Sequence, residues 1–299
     1  MDRAGGTGEK PASLAAVRDA EGPAPPRRAS RALVFDSGLG GLSVLAEIRR
    51  LRADVEIVYA ADDAAFPYGR LGEAELVARV ETVMARLIGE TAPDIVIIAC
   101  STASTLALPP LRAAYPDLPF VGTVPAIKPA AAASRSGLIS VLATRGTVAR
   151  DYTHALVRDH GQGCEVTLVG SPELAIIAER VMRAEAVDDA EIKREIKPCF
   201  VERDGRRTDQ IVLACTHFPL ILGEIKRLSP WAVGFVDPAA AIARRLDALI
   251  GPARPGAPKA GEGAAIFTSG DAPPPSLQKT LRLYGLAFTP AAVSGSAPA

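Results

Sequence analysis

The sequence has no run of roughly 18 apolar residues, the length a bilayer-spanning helix needs, so no membrane span is expected in its 299 residues. It has no excess of charge, because 34 Lys and Arg face 34 Asp and Glu. That balance argues against a nucleic-acid tract or an anionic-membrane patch, which leaves small molecules as the expected partners. It lacks an export signal: Leu14 to Val17 is too short an apolar core and runs into Arg18-Asp-Ala-Glu21. Its four cysteines, at 100, 164, 199 and 215, include no C-x-x-C pair, and no histidine stands at zinc spacing from them. Free thiols in a reduced, cytoplasmic compartment are the expectation.

With 48% apolar and 23% charged residues the composition is that of an ordinary globular protein, and its length suits about two domains. Residues 1–30, rich in Ala, Gly, Pro and charge, read as a disordered leader. From Arg31 onward strand and helix alternate. Ala32 to Phe35, Val55 to Ala60, Asp94 to Ala99, Phe120 to Val124, Leu138 to Ala143, Glu165 to Val169, Gln210 to Ala214, Val233 to Val236 and Ala265 to Thr268 read as strands. Glu73 to Ile88 is an amphipathic helix with Leu76, Val80, Val83, Met84 and Leu87 on one face. Helices are also expected over 42–51, from Thr147 to about Asp159, and over 173–183, 188–197, 218–228, 238–249 and 277–286. Such βα alternation specifies an α/β fold with mostly parallel sheets flanked by helices.

Two stretches stand out. Asp94-Ile-Val-Ile-Ile-Ala-Cys100-Ser-Thr-Ala-Ser104 and Gln210-Ile-Val-Leu-Ala-Cys215-Thr-His-Phe-Pro219 each end a β-branched run in Ala-Cys, followed by Thr within two residues and a possible helix start. Open α/β sheets place ligands at the carboxyl ends of their strands. Two thiols there, one per half of the chain, make a possible acid and base. A helix amino terminus favours thiolate, and His217 or Asp36, at another strand end, can orient a thiol or exchange protons with it. Cys164 and Cys199, with no polar motif around them, read as small buried hydrophobes. His154 and His160 read as surface residues on or near a helix end, and Lys128 as a Schiff-base lysine lacks any accompanying phosphate motif. Asp36-Ser-Gly-Leu-Gly-Gly41 matches neither a P-loop nor the dinucleotide glycine spacing.

Taken in order, Asp36-Ser-Gly-Leu-Gly-Gly-Leu-Ser-Val-Leu45, Phe66-Pro-Tyr-Gly69, Ala99-Cys-Ser-Thr-Ala-Ser104, Val124-Pro-Ala-Ile-Lys-Pro129, Ala143-Thr-Arg-Gly-Thr147 and Ala214-Cys-Thr-His-Phe-Pro-Leu220 resemble the glutamate racemases of the cofactor-independent aspartate/glutamate racemase family. The resemblance runs from about Arg31 to Leu286 and keeps the family's motif order. It implies two pseudo-symmetric α/β lobes with the active site in the cleft between them. Residues 31–124 and 237–290 would form the first lobe with Cys100, residues 125–236 the second with Cys215, and 291–299 a tail.

It also implies racemisation of glutamate without cofactor or metal, supplying D-glutamate for peptidoglycan. One thiolate removes the α-proton and the other thiol returns one, Cys100 acting on D-glutamate and Cys215 on L-glutamate, with Asp36 and His217 assisting. Asp36, Ser37, Tyr68, Gly69, Ser101, Thr102, Thr144, Thr147, Thr216 and His217 take the family's substrate-contact positions. Ser101 departs from the asparagine usual there, and His217 favours the glutamate over the aspartate branch. A homodimer is common among such enzymes. A related racemase, isomerase or decarboxylase on another small acid, and a non-catalytic amino-acid-binding regulator on the same fold, are the alternative readings.

Overall fold

The structure is a computed structural model that describes residues 29–161, 163–253 and 256–290. The leader expected over residues 1–30 therefore lies outside the described residues but for its last two, and the 291–299 tail lies outside them entirely. The strands are β1 (Arg31–Asp36), β2 (Glu56–Ala61), β3 (Ile95–Ile98), β4 (Phe120–Val121), β5 (Leu138–Thr144), β6 (Glu165–Ser171), β7 (Glu202–Arg203), β8 (Arg206–Arg207), β9 (Gln210–Leu213), β10 (Gly234–Val236), β11 (Gly263–Phe267) and β12 (Leu286–Phe288). The helices are α1 (Leu42–Leu51), α2 (Glu73–Thr91), α3 (Ser101–Ala114), α4 (Ile127–Ala133), α5 (Arg145–Val148), α6 (Asp151–His160), α7 (Leu174–Met182), α8 (Asp189–Ile196), α9 (Leu222–Leu228), α10 (Ala239–Ile250) and α11 (Pro275–Leu283).

Two parallel sheets form the two lobes. The larger has the order β12-β11-β2-β1-β3-β4, the smaller β10-β9-β5-β6. Parallel pairing puts Asp36 beside Ala61 and Phe35 beside Ile98, so β1, β2 and β3 end level with one another. In the second sheet Leu142 pairs with Leu213 and Thr144 with Ser171. The level ends make one rim per sheet, and the loops that leave it carry the polar motifs.

Side-chain alternation along β1 divides the core of the first lobe. Ala32 and Val34 pack with Leu42, Leu45 and Ile48 of α1 and Ile242 and Leu246 of α10. Leu33 and Phe35 face the other way, against Leu76, Val80, Met84 and Leu87 of α2 and Leu111 of α3. The second sheet is covered likewise, by Leu174, Ile177, Ile192 and Ile225 on one face and Ile127 and Ala130 on the other. Runs such as Ile95–Ile98 are buried throughout because both faces are covered.

Several boundaries differ from the sequence reading. β4 stops at Val121, since the Thr123 N–H leaves the ladder to bond Ser104 Oγ at 3.0 Å. The helix expected from Thr147 is two helices, broken between Val148 and Asp151. The stretch 218–228 begins as a 3-10 turn, Phe218–Ile221, with Pro219 in its first turn, before α9. The last helix ends at Leu283, because Gly285 takes φ +69 and turns the chain into β12. Asp204 and Gly205 turn the small antiparallel hairpin of β7 and β8, an Asp-Gly signal in the sequence that had no strands assigned around it.

Candidate active site

The rims of the two sheets face each other across a small shared cavity. Ser37, Tyr68, Gly69, Cys100, Ser101, Thr102, Thr144, Cys215, Thr216 and His217 all line it, together with Phe66, Pro67 and Ala175. Of the residues singled out in the sequence, only Asp36 and Thr147 stand behind this lining, and both are fully buried. His154 is exposed on α6 and Lys128 on α4. Among the described residues no cluster of three His, Cys, Asp or Glu side chains is arranged to hold a metal ion.

Cys100 follows β3 and caps the amino end of α3. Its thiol donates to Ser37 Oγ at 3.8 Å, and Ser37 Oγ in turn donates to Asp36 Oδ1 at 3.2 Å. Helix-end placement alone favours thiolate, and the Ala103 N–H does lower the pKa of Cys100. Burial, with the Asp36 carboxyl adding to it, outweighs that and pushes the thiol up to about 12. In the closed cavity Cys100 is therefore an acid holding its proton. Asp36 is itself raised by burial, against the pull of His217 and of its Thr216 hydrogen bond.

Cys215 sits in a different environment. His217 Nδ1 is 3.8 Å from its sulfur, and the far ring nitrogen, Nε2, lies 3.0 Å from Glu179 Oε1 and accepts the Gly40 N–H at 3.2 Å. Burial pushes the imidazole toward neutrality, but hydrogen bonds to Cys215 and Glu179 and the nearby Asp36 hold its pKa well above the ordinary value. Burial likewise works against the Glu179 carboxylate, yet the His217 bond and charge and the Leu39 N–H bring its pKa below the usual range. The ring, with its proton affinity raised, thus spans from the Cys215 sulfur at Nδ1 to the Glu179 carboxylate and the Gly40 N–H at Nε2. Phe66 packs against its face at a centroid distance of 5.4 Å.

Sequence reasoning missed Glu179. It lies on α7, on the side that also buries Ala175 and Met182, and the only local sign is a carboxylate beside an apolar stripe. Its role comes from what lies opposite: Leu39 N–H, in the glycine-rich loop after β1, donates to Oε1 at 2.5 Å. The glycines there are required by close approach. A Cβ on Gly38 would overlap Oε1 of Glu179, and one on Gly40 would overlap His217 and Thr216.

Further bonds join the lobes around the cavity. Thr216 Oγ1 donates to Asp36 Oδ2 at 2.8 Å, and Ser43 Oγ donates to the Thr216 carbonyl at 3.0 Å. On the other flank three hydroxyls form a triangle: Thr102 to Thr144 at 3.4 Å, Thr102 to Thr147 at 3.4 Å and Thr144 to Thr147 at 3.0 Å. Such a group has donors to turn toward an anion. Tyr68 is positioned by Asp62, whose Oδ2 accepts from its phenol at 2.5 Å.

The family model described as Asp/Glu/Hydantoin racemase matches residues 40–246. The glutamate racemase of Rhizobium meliloti (strain 1021) is 51% identical over 262 residues, covering 88% of this chain and 94% of its own. That of Brucella canis is 50% identical over 258 residues, 86% of this chain and 92% of its own. Among solved structures, Escherichia coli glutamate racemase in complex with L-glutamate and the activator UDP-MurNAc-Ala is similar at a TM-score of 0.79 and 40% identity, covering 87% of this chain and 97% of that one. With this identity along most of both chains, the protein belongs to the Asp/Glu/Hydantoin racemase family, among the glutamate racemases.

Proposed function

We propose that the protein interconverts L- and D-glutamate by proton transfer between two thiols, and that it supplies D-glutamate for the cell wall as its family does. The observation that carries the reading is the pair of cysteines lining one cavity, Cys100 bonded to Ser37 and through it to Asp36, and Cys215 beside His217. Inversion needs a base on one side of the α-carbon and an acid on the other. In the direction from L-glutamate, the Cys215 thiolate takes the α-proton and Cys100 delivers its own to the opposite side. The reverse direction exchanges the roles. Each turnover moves one proton onto one sulfur and one off the other, so net charge is unchanged.

Without an electron sink, the carbanion-like transition state relies on a dry, preorganised site. Backbone N–H groups and hydroxyls of Ser37, Ser101, Thr102, Thr144, Thr147 and Thr216, with the loop at Tyr68 and Gly69, are proposed to receive the two carboxylates. Ser101, lining the cavity in place of the family's usual asparagine, offers a hydroxyl there. His217 and Asp36 would set the proton affinity of the adjoining thiols. The division into a lobe of residues 31–124 with 237–290 and a lobe of residues 125–236 is part of the same proposal, as is a homodimer, which light scattering of the purified protein checks. Among the described residues no helix is long and apolar enough to cross a membrane.

The test is proton NMR of L- and D-glutamate in D₂O with the purified full chain, no pyridoxal phosphate or metal, with and without UDP-MurNAc-Ala, the activator in the Escherichia coli complex. Deuterium at the α-carbon of the inverted enantiomer supports the two-thiol racemase. The same assay on aspartate decides the substrate. An unchanged signal for glutamate under both conditions, with binding retained, would instead support an amino-acid-binding protein on a racemase fold.

A further inference from the structure

The second lobe sends one cation deep into the first. Arg150, the residue before α6, is nine-tenths buried. Its Nη1 donates to the Thr102 carbonyl oxygen at 2.8 Å and to Oγ1 of Thr105. Both acceptors belong to the opening of α3, the helix that Cys100 caps. The nearest carboxylate is Glu73 on α2, 3.6 Å from Nε and 70% exposed, hence well screened by water. The guanidinium thus lies buried with two neutral acceptors and only a distant, solvated counter-charge.

Burial lowers the pKa of Arg150, and both Glu73 and Cys100 act to raise it. Attraction between this cation and a Cys100 thiolate works in both directions. The other titratable groups that face Cys100 do not help the anion. Asp36 at the end of β1 and Cys215 both raise its pKa, while Tyr59 of β2 and Tyr68 are buried phenols whose own pKa values the thiolate raises.

We propose that Arg150 is a positioning residue for Cys100, a cation lent by the second lobe that fixes the first turn of α3 and steadies the Cys100 thiolate. Its consequence for turnover rests on the racemase reading: Cys100 must ionise to act as base, and Arg150 supplies the cation beside that ionisation. The coupling also ties protonation of one thiol to the lobe that carries the other.

The experiment compares Arg150→Lys with Arg150→Gln. Both disturb the two-point clamp, so both change access to the cavity, but only the lysine keeps the charge. Alkylation by iodoacetamide at about pH 8.5 is followed at Cys100 and Cys215 separately by peptide mass spectrometry. The expected result is Cys100 alkylated about threefold faster or more in the lysine variant than in the glutamine variant, a difference of about half a pKa unit, with Cys215 equal in the two. A ratio of one at Cys100, or the same ratio at both thiols, overturns the proposal. In parallel, kcat falls about tenfold in the glutamine variant with partial rescue by lysine.

A purely structural latch would lower Tm in both variants and leave the alkylation ratio at one. Because alkylation needs no turnover, failure here is distinct from failure of the racemase reading. Arg150→Met, which also removes the charge, serves if the glutamine variant does not fold, and a lysine-to-methionine alkylation ratio of one at Cys100 counts against the proposal.

Discussion

Glu179 Oε1 and His217 Nε2 meet at 3.0 Å with side-chain exposures of 8% and 3%, and this buried pair joins α7 to the Cys215 loop behind the cavity wall. The same carboxylate oxygen accepts the Leu39 N–H from the first lobe. One group thereby orients the imidazole beside Cys215 and holds the glycine-rich loop of the opposite lobe against it.

Replacing Glu179 by Gln is expected to cost about 3 kcal/mol of stability, the scale of breaking a buried pair, and to lower kcat about a hundredfold, as a misplaced proton-transfer group does. The pH dependence follows from the two shifts. The lowered Glu179 value makes its contribution complete above the ordinary glutamate pKa of about 4.3, and lost as pH falls through the folded value. The raised His217 value makes its contribution complete below about 6.5, and lost as pH rises through the folded value. Urea unfolding across pH should show the gap between wild type and Glu179→Gln widest between those limits and narrower on both sides.

Cys100→Ser and Cys215→Ser should each reduce kcat/KM by about a thousandfold, since a hydroxyl is a far weaker acid than a thiol. The free energies of the enantiomers are equal, so kcat/KM from L- and from D-glutamate must fall by the same factor, and any asymmetry appears in kcat and KM separately. Polarimetry started from each enantiomer measures this. A serine variant with wild-type turnover would refute the two-thiol scheme.

Asp62 is fully buried and receives the Tyr68 phenol at 2.5 Å, Arg79 through two nitrogens at 2.9 and 2.5 Å, and Thr268 Oγ1 at 2.5 Å. Asp62→Asn should destabilise by about 2–3 kcal/mol, less than a fully buried pair because Arg79 is partly exposed. KM for glutamate should rise as the wall at Tyr68 and Gly69 loosens. Burial pushes the Asp62 pKa up, but bonds from Arg79, Thr268 and Tyr68 bring it below the usual value. The wild-type advantage is therefore present above about pH 3.9 and shrinks as pH falls further, which thermal melts at a series of acid pH values will display.

Two glycine substitutions should have opposite effects. Gly40→Ala puts a methyl into His217 and Thr216, costing about 1–3 kcal/mol by overpacking and most of the activity. Gly89→Ala, in α2 with nothing within 4 Å of the added carbon, should gain about 0.5 kcal/mol from helix propensity and leave kinetics unchanged. Calorimetry and an activity assay on both proteins separate crowding at the site from a general intolerance of added carbon.

Much of the fold was legible because fully buried parallel strands must be apolar runs, as in Ile95–Ile98 and Leu138–Thr144. The short elements were less so. β12, three residues long, and the β7–β8 hairpin carry too few side chains to show a period. The two thiols and His217 stood out because strand ends mark the ligand side of such sheets, whereas the substrate-contact threonines came from the family resemblance. The high proton affinity of Cys100 was not, because helix-end placement argues for thiolate and only burial beside Asp36 reverses it.

The sequence by itself determined the alternation of strand and helix and the chemical groups at the strand ends, since these follow from local apolar pattern and chain order. Tertiary structure decided which groups share a proton or a charge. Glu179 stands 38 positions from His217, and Arg150 stands 48 from Thr102; the partners meet only when separate elements pack. Their effects act through distance and burial, which no local pattern encodes.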